Sequence, residues 1–215
     1  MSSAGRTSPS LVWAGAVVFA VAVGLVLLMV VRPSAASPSG SGGAAAVPAE
    51  GSADVGFARD MSVHHQQAVE MAFLVRDRTD DEAVRRLAYD IINTQANQRG
   101  MMLGWLESWD RPKSSDRPPM EWMGHPVTAS DGSLMPGMAT DTQLDRLRAA
   151  RGKGAEVLFL RLMTVHHRAG ADMAQAAAGA AGTDEITSLA AGMARAQESE
   201  ISLMADMLKD RGAQP

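Results

Sequence analysis

The sequence predicts an all-α protein: a four-helix bundle built from a duplicated helix hairpin with a long crossover, plus one N-terminal transmembrane helix. Three observations predict it. Apolar residues recur at helical spacing through residues 57–109 and 159–211, and no alternating strand pattern competes. The two stretches repeat one another at a constant offset of 102 residues, with no gaps. Ahead of them, residues 11–31 read LVWAGAVVFAVAVGLVLLMVV, a run of 21 uncharged residues.

Composition bounds the rest. The chain has 215 residues, 46% hydrophobic and 20% charged, enough for one folded domain of about 160 residues behind a tether. It has no cysteine, which excludes disulfides, zinc-thiolate sites, iron–sulfur clusters and thiol catalysis. The formal charge is −4 and no basic face is visible, so nucleic acid is not an expected partner. Methionine occurs 15 times against 4% aromatic residues. Four of the five histidines form two His-His pairs.

Residues 1–10 read as a tail and 11–31 as a transmembrane signal anchor. A helix of that length rises about 30 Å, a bilayer core. A cleaved signal peptide is the rival, with Ser34-Ala35-Ala36 as its small-residue site. The apolar run exceeds the roughly 7–15 residues usual for such a peptide. Residues 32–53, rich in Pro, Ser, Gly and Ala, form a flexible linker. The expected location is the cell membrane, single-pass, with the folded domain at 54–213 outside the cytoplasm.

The first helix, about 57–77, carries Phe57, Met61, His64, Ala68, Met71 and Val75 on one face. The third, about 153–180, carries Phe159, Met163, His166, Gly170, Met173 and Ala177 on the same face. The second, about 81–109, offers Leu87, Ile91, Gln95, Gln98, Met102 and Trp105. The fourth, about 184–210, offers Leu189, Met193, Gln197, Glu200, Met204 and Met207. Thr79-Asp80-Asp81 and Gly182-Thr183-Asp184 supply turn and N-cap chemistry between them. Asp110 to about Thr140 is the Pro/Gly/Ser-rich crossover, followed by a short helix within 140–150.

The chemistry lies on the seam. Met61 and Met163 stand three residues before His64 and His166, and Met71 and Met173 seven residues after, so each set shares a helix face. Two imidazoles and up to four thioethers are expected to converge in the core. Carboxylate bundles for di-iron place Glu where this chain has Met. Thioether with imidazole suits copper, above all Cu(I), and not ferric iron, magnesium or calcium, while zinc remains open through the histidines alone. Met102 and Met204 add sulfur from the second and fourth helices, and Glu200 is placed to orient a histidine or complete the site. His65 and His167 are expected at the seam's edge, where they either ligate the metal at its mouth or face solvent. The plain alternative is that these methionines fill the core. The crossover carries Met120, Met123, His125, Met135 and Met138, which read either as a copper-capture loop or as a cap with Trp122 on the bundle end.

At the level of Phe159 to Ala174, its first-copy counterpart, Met135-Pro-Gly-Met138 and Gln197-x-x-Glu200-Ile201-x-x-Met204, the chain resembles the bacterial domain of unknown function 305 family. The resemblance covers about residues 54–210. It implies a ferritin-like helical bundle, usually exported, with some relatives similar to periplasmic copper-binding proteins linked to copper tolerance. One departure stands out: the first copy has Gln98-Arg99 where the second has Glu200-Ile201, so two equivalent sites are not expected.

The function expected is an extracytoplasmic, membrane-tethered copper-binding protein for sequestration, delivery or tolerance. Its partners would be a copper donor or acceptor protein and, in a homo-oligomer, further copies of itself. The rival is a non-metal helical interaction module of the cell envelope. No Ser/His/Asp arrangement, phosphate loop or carboxylate pair supports an enzyme.

Overall fold

A computed structural model describes residues 46–214. The tail, the anchor at 11–31 and most of the linker lie outside the described residues. Among those described, no helix is long and apolar enough to cross a membrane.

Five helices and one 3₁₀ turn make up the described domain, with no strand beyond an isolated bridge between Ser130 and Ser133. Helix α1 spans Ala53–Arg76 and begins where the Ser52 hydroxyl accepts the Val55 N–H. Helix α2, Glu82–Ser108, is capped by the Asp81 carboxylate on the Val84 N–H at 2.9 Å. The 3₁₀ turn Glu121–Met123 lies in the crossover. Helix α3, Asp141–Ala149, starts on a reciprocal capping box between Thr140 and Gln143. Helix α4, Gly152–Ala180, has no side-chain cap; its Gly152 N–H instead donates to the Arg78 carbonyl at 2.7 Å. Helix α5, Asp184–Asp210, is capped by Thr183. The long helices and the short α3 match the expected spans to within a few residues.

Two hairpins, α1–α2 and α4–α5, dock through α1 and α4. One apolar cluster joins Ala68, Met71 and Val75 of α1 to Phe159, Leu160 and Met163 of α4, with Ile91, Met204 and Leu208. The other joins Val55, Phe57 and Met61 to Met173, Ala174 and Ala177, with Met102, Leu106 and Met193. The start of α1 thus meets the end of α4, and the two helices run antiparallel. The 102-residue offset exchanges the clusters: Phe57 with Phe159, Met61 with Met163, Ile91 with Met193, Met102 with Met204. That exchange is the mark of a pseudo-twofold axis across the α1–α4 seam.

The hairpin ends are tied across the same axis. The buried Asp54 carboxylate accepts the Gly182 N–H, and its Oδ1 also accepts the Thr183 N–H at 2.9 Å and hydroxyl at 2.7 Å. Burial pushes its pKa up, but these donors outweigh burial and hold it below the usual range. Its repeat counterpart, Glu156, accepts the Thr79 hydroxyl at 2.5 Å and the Arg211 guanidinium at 2.7 Å. Replacing Asp54 with alanine strands these donors, and chemical denaturation is expected to show a loss of about 2 kcal/mol.

Candidate metal centre

His64 and His166 lie at the crossing of α1 and α4, between the two apolar clusters. Their rings stack, centroids 3.7 Å apart and planes 32° from parallel. The His166 Nε2–H donates to the His64 carbonyl oxygen at 3.1 Å. One position on, His65 donates its Nε2–H to Gln98 Oε1 at 2.8 Å, and His167 donates its own to Glu200 Oε2 at 2.5 Å. All four imidazoles are buried. The solvent-facing alternative expected for His65 and His167 is therefore corrected. Helix α2 or α5 covers that edge, and Gln98 or Glu200 reaches in to meet the ring.

Four ring nitrogens in this layer have no hydrogen-bond partner: both of His64, Nδ1 of His65 and Nδ1 of His167. The paired Gln95 and Gln197 side chains, which the sequence placed on the seam but not in the site, leave their buried amide oxygens unpartnered as well. Such groups cost about 1–3 kcal/mol each when unsatisfied. A cluster of them is unusual in a folded core. Gly170 makes room for Gln197, whose Nε2 would lie 3.1 Å from a β-carbon at that position.

Burial sets the electrostatics. It pushes the His64 pKa down to about 3, helped by the neighbouring imidazoles of His65 and His167. The Pro136 carbonyl opposes the shift without closing a hydrogen bond. His65 falls to about 4, chiefly through burial, against the pull of Gln98. His166 is held well below its ordinary range for the same first reason. These histidines are therefore neutral in the fold at pH 7, with lone pairs free. The unfolded chain takes up their protons near pH 6.5 and the folded one does not. Stability is thus full above pH 6.5 and falls as pH drops toward 4. Each such histidine is expected to cost about tenfold in the folding equilibrium per pH unit in that window. Denaturation midpoints of the metal-free protein between pH 7 and 4 check this.

The methionines do not gather at one point. Met61, Met102 and Met173 pack on one side of the histidine layer; Met71, Met163 and Met204 pack on the other. Antiparallel crossing demands this, because residues before the histidine on α1 face residues after it on α4. The expected convergence of four thioethers is replaced by a sulfur-bearing shell on each side. Stacking has a further consequence. Imidazole lone pairs lie in the ring plane, so two face-to-face rings cannot clasp one ion until a ring turns. Among the described residues, no three His, Asp or Glu side chains group closely enough to hold an ion. Sulfur from the flanking methionines and the unpartnered amide oxygens of Gln95 and Gln197 are the other donors nearby.

The crossover roofs this layer. Met120, Met135 and Met138 are buried in the cluster around Met61, Met123 packs on it, and His125 is exposed. The capping reading describes these methionines, and the capture reading is set aside. Trp122 meets Phe57 edge-on at 6.0 Å, and Asp60 accepts both the Met120 N–H at 2.8 Å and the Trp122 Nε1–H at 2.9 Å. Gln67 pairs with the Ala139 backbone through both amide atoms, at 2.6 and 2.9 Å. Gly137, at φ +78°, lays the chain directly on the α4 backbone at Val165 and His166. Neither Gln67 nor Pro136-Gly137 belonged to the expected site; the short Met-Pro-Gly-Met segment was the available signal.

This geometry has counterparts. A crystal structure of a DUF305 protein from Streptomyces coelicolor, provisionally described as secreted, is 59% identical, with a TM-score of 0.73 over 77% of this chain and 98% of its own. CopM in its Cu(II)-bound form is 26% identical, with a TM-score of 0.59 over 74% of this chain and 96% of its own. CopM in its Cu(I)-bound form is 25% identical, with a TM-score of 0.54 over 73% and 96%. No curated protein matches the chain. The family described as "Domain of unknown function (DUF305)" matches residues 54–208. Most of the chain lies in that match, and the chain belongs to the domain of unknown function 305 family.

Proposed function

We propose that the domain binds copper as cargo in the histidine layer, outside the cytoplasm, to sequester it or hand it on. One observation carries this reading: four buried imidazole nitrogens without partners, gathered where two helices cross and flanked by thioethers. Neutral imidazole and thioether are soft to borderline donors, the set that Cu(I) prefers. His64, His65, His166 and His167 would offer the imidazole donors, no more than two to one ion as the rings stand, with Met61, Met71, Met102, Met163, Met173 and Met204 supplying sulfur from either side. Solved copper-bound forms of CopM support the reading by similarity. The provisional description of the Streptomyces coelicolor protein as secreted supports an extracytoplasmic place. Tethering through residues 11–31 and a donor or acceptor protein complete the proposal.

The test is a titration of the full-length protein, held in mild detergent, with Cu(I) against a chromophoric chelator. Competition for the ion is expected, together with a thermal shift. An ion at a hundred times its Kd stabilises a native state by about 3 kcal/mol. An unmoved melting temperature and no competition would overturn the copper reading and leave the interaction module.

A further inference from the structure

The two copies back their buried imidazoles differently. His65 gives its Nε2–H to the amide oxygen of Gln98; His167 gives its Nε2–H to the carboxylate of Glu200. All else matches. Both rings are fully buried, both Nδ1 atoms lack a partner, and both acceptors sit 33 residues downstream on the outer helix of the same hairpin. The pseudo-twofold axis therefore relates two imidazole donors whose far nitrogens are held by different acceptors.

That difference bears directly on donor strength. A carboxylate accepting the Nε2–H draws the proton toward itself and leaves more electron density on Nδ1. It also brings a carboxylate to the edge of a buried layer, where it would offset the charge of an arriving cation. A neutral amide orients the ring but supplies neither effect. Glu200 is about a quarter exposed, while the ring it holds is wholly buried.

We infer that the histidine layer is functionally asymmetric: Cu(I) is taken first and held more tightly on the His167 side, and Glu200 is the positioning residue that sets this order. The inference rests on the copper reading above and adds the sequence of loading. It makes the first hairpin, with His65 and Gln98, the weaker face, from which an ion is more easily passed on.

The experiment follows the ¹⁵N signals of the histidine rings while Cu(I) is added in sub-stoichiometric steps to full-length protein in mild detergent. Cu(I) is diamagnetic and leaves the signals visible. The wild type is expected to show His167 Nδ1 shifting before His65 Nδ1. Glu200→Gln copies the arrangement natural to the first hairpin, so its fold is already represented in this molecule. It should abolish the order and weaken the tighter step by about 10–100-fold. Gln98→Glu should strengthen the weaker step and bring the two responses together. His65 responding first, simultaneous response in the wild type, or an order unchanged in Glu200→Gln would overturn the asymmetry. Histidine signals that never respond to Cu(I) in the wild type would overturn the copper reading instead.

Discussion

Replacing His64 with leucine is expected to stabilise the metal-free protein and to strip it of most of its Cu(I) retention. The two effects have one cause. His64 is fully buried, with neither ring nitrogen hydrogen-bonded. At least one of those nitrogens carries a proton that no acceptor receives. An apolar side chain of similar size removes this penalty, a gain of about 1–3 kcal/mol. For a domain of this size that is a rise of several degrees in the melting temperature. The His166 bond survives, because its acceptor is the His64 backbone carbonyl. Retention of Cu(I) should fall by more than the 10–100-fold typical of outer-shell changes. Calorimetry and chelator competition on the same sample read both. A destabilised variant with undiminished retention would show that His64 is structural.

Gly137→Ala is expected to lift the roof from the histidine layer. The residue has φ +78°, which costs an ordinary side chain about 1–2 kcal/mol. Its new β-carbon would press into Ala169 Cβ and lie 2.9 Å from the Val165 carbonyl oxygen. Both neighbours are on α4 and cannot yield cheaply. Together these amount to about 3 kcal/mol. The loop can escape only by rising, although Gln67 still grips Ala139. Water would then reach His64 and His166. Burial is the first cause of their low pKa values, so both should climb toward 6.5. Histidine titration by NMR, with a denaturation curve, checks the two consequences together. Unmoved histidine pKa values would mean that the roof is not what keeps the layer dry.

Much of this was legible before any coordinates. The 3.6-residue period locates the long helices, and turn chemistry places the caps within Thr79-Asp80-Asp81 and Gly182-Thr183-Asp184, where Asp81 and Thr183 cap, because both signals are local. His64 and His166 were assigned to the seam because a face of Phe, Met and Val needs an opposite surface. What escaped depends on distance between elements. A helical wheel gives the bearing of His65 and His167 but not how closely α2 and α5 approach, so their complete burial was hidden. The same holds for the ring stack, which follows from side-chain torsions. Splitting of the methionines needed the antiparallel direction of α1 against α4. The Pro136-Gly137 roof has no periodicity to read. One further signal lies in the sequence: the repeat extends three residues before Phe57 and Phe159, to Asp54 and Glu156, an acid at both positions.

That acid pair decides which halves can mate. Asp54 reaches Gly182 and Thr183, while Glu156 reaches Thr79 and Arg211. Two first hairpins brought together would set Asp54 against Asp81, the counterpart of Thr183, and the carboxylates would repel. Two second hairpins would offer Glu156 the methyl group of Ala181 where Thr79 now donates. Each half of the duplicated bundle is thus complementary to its sibling and not to a copy of itself.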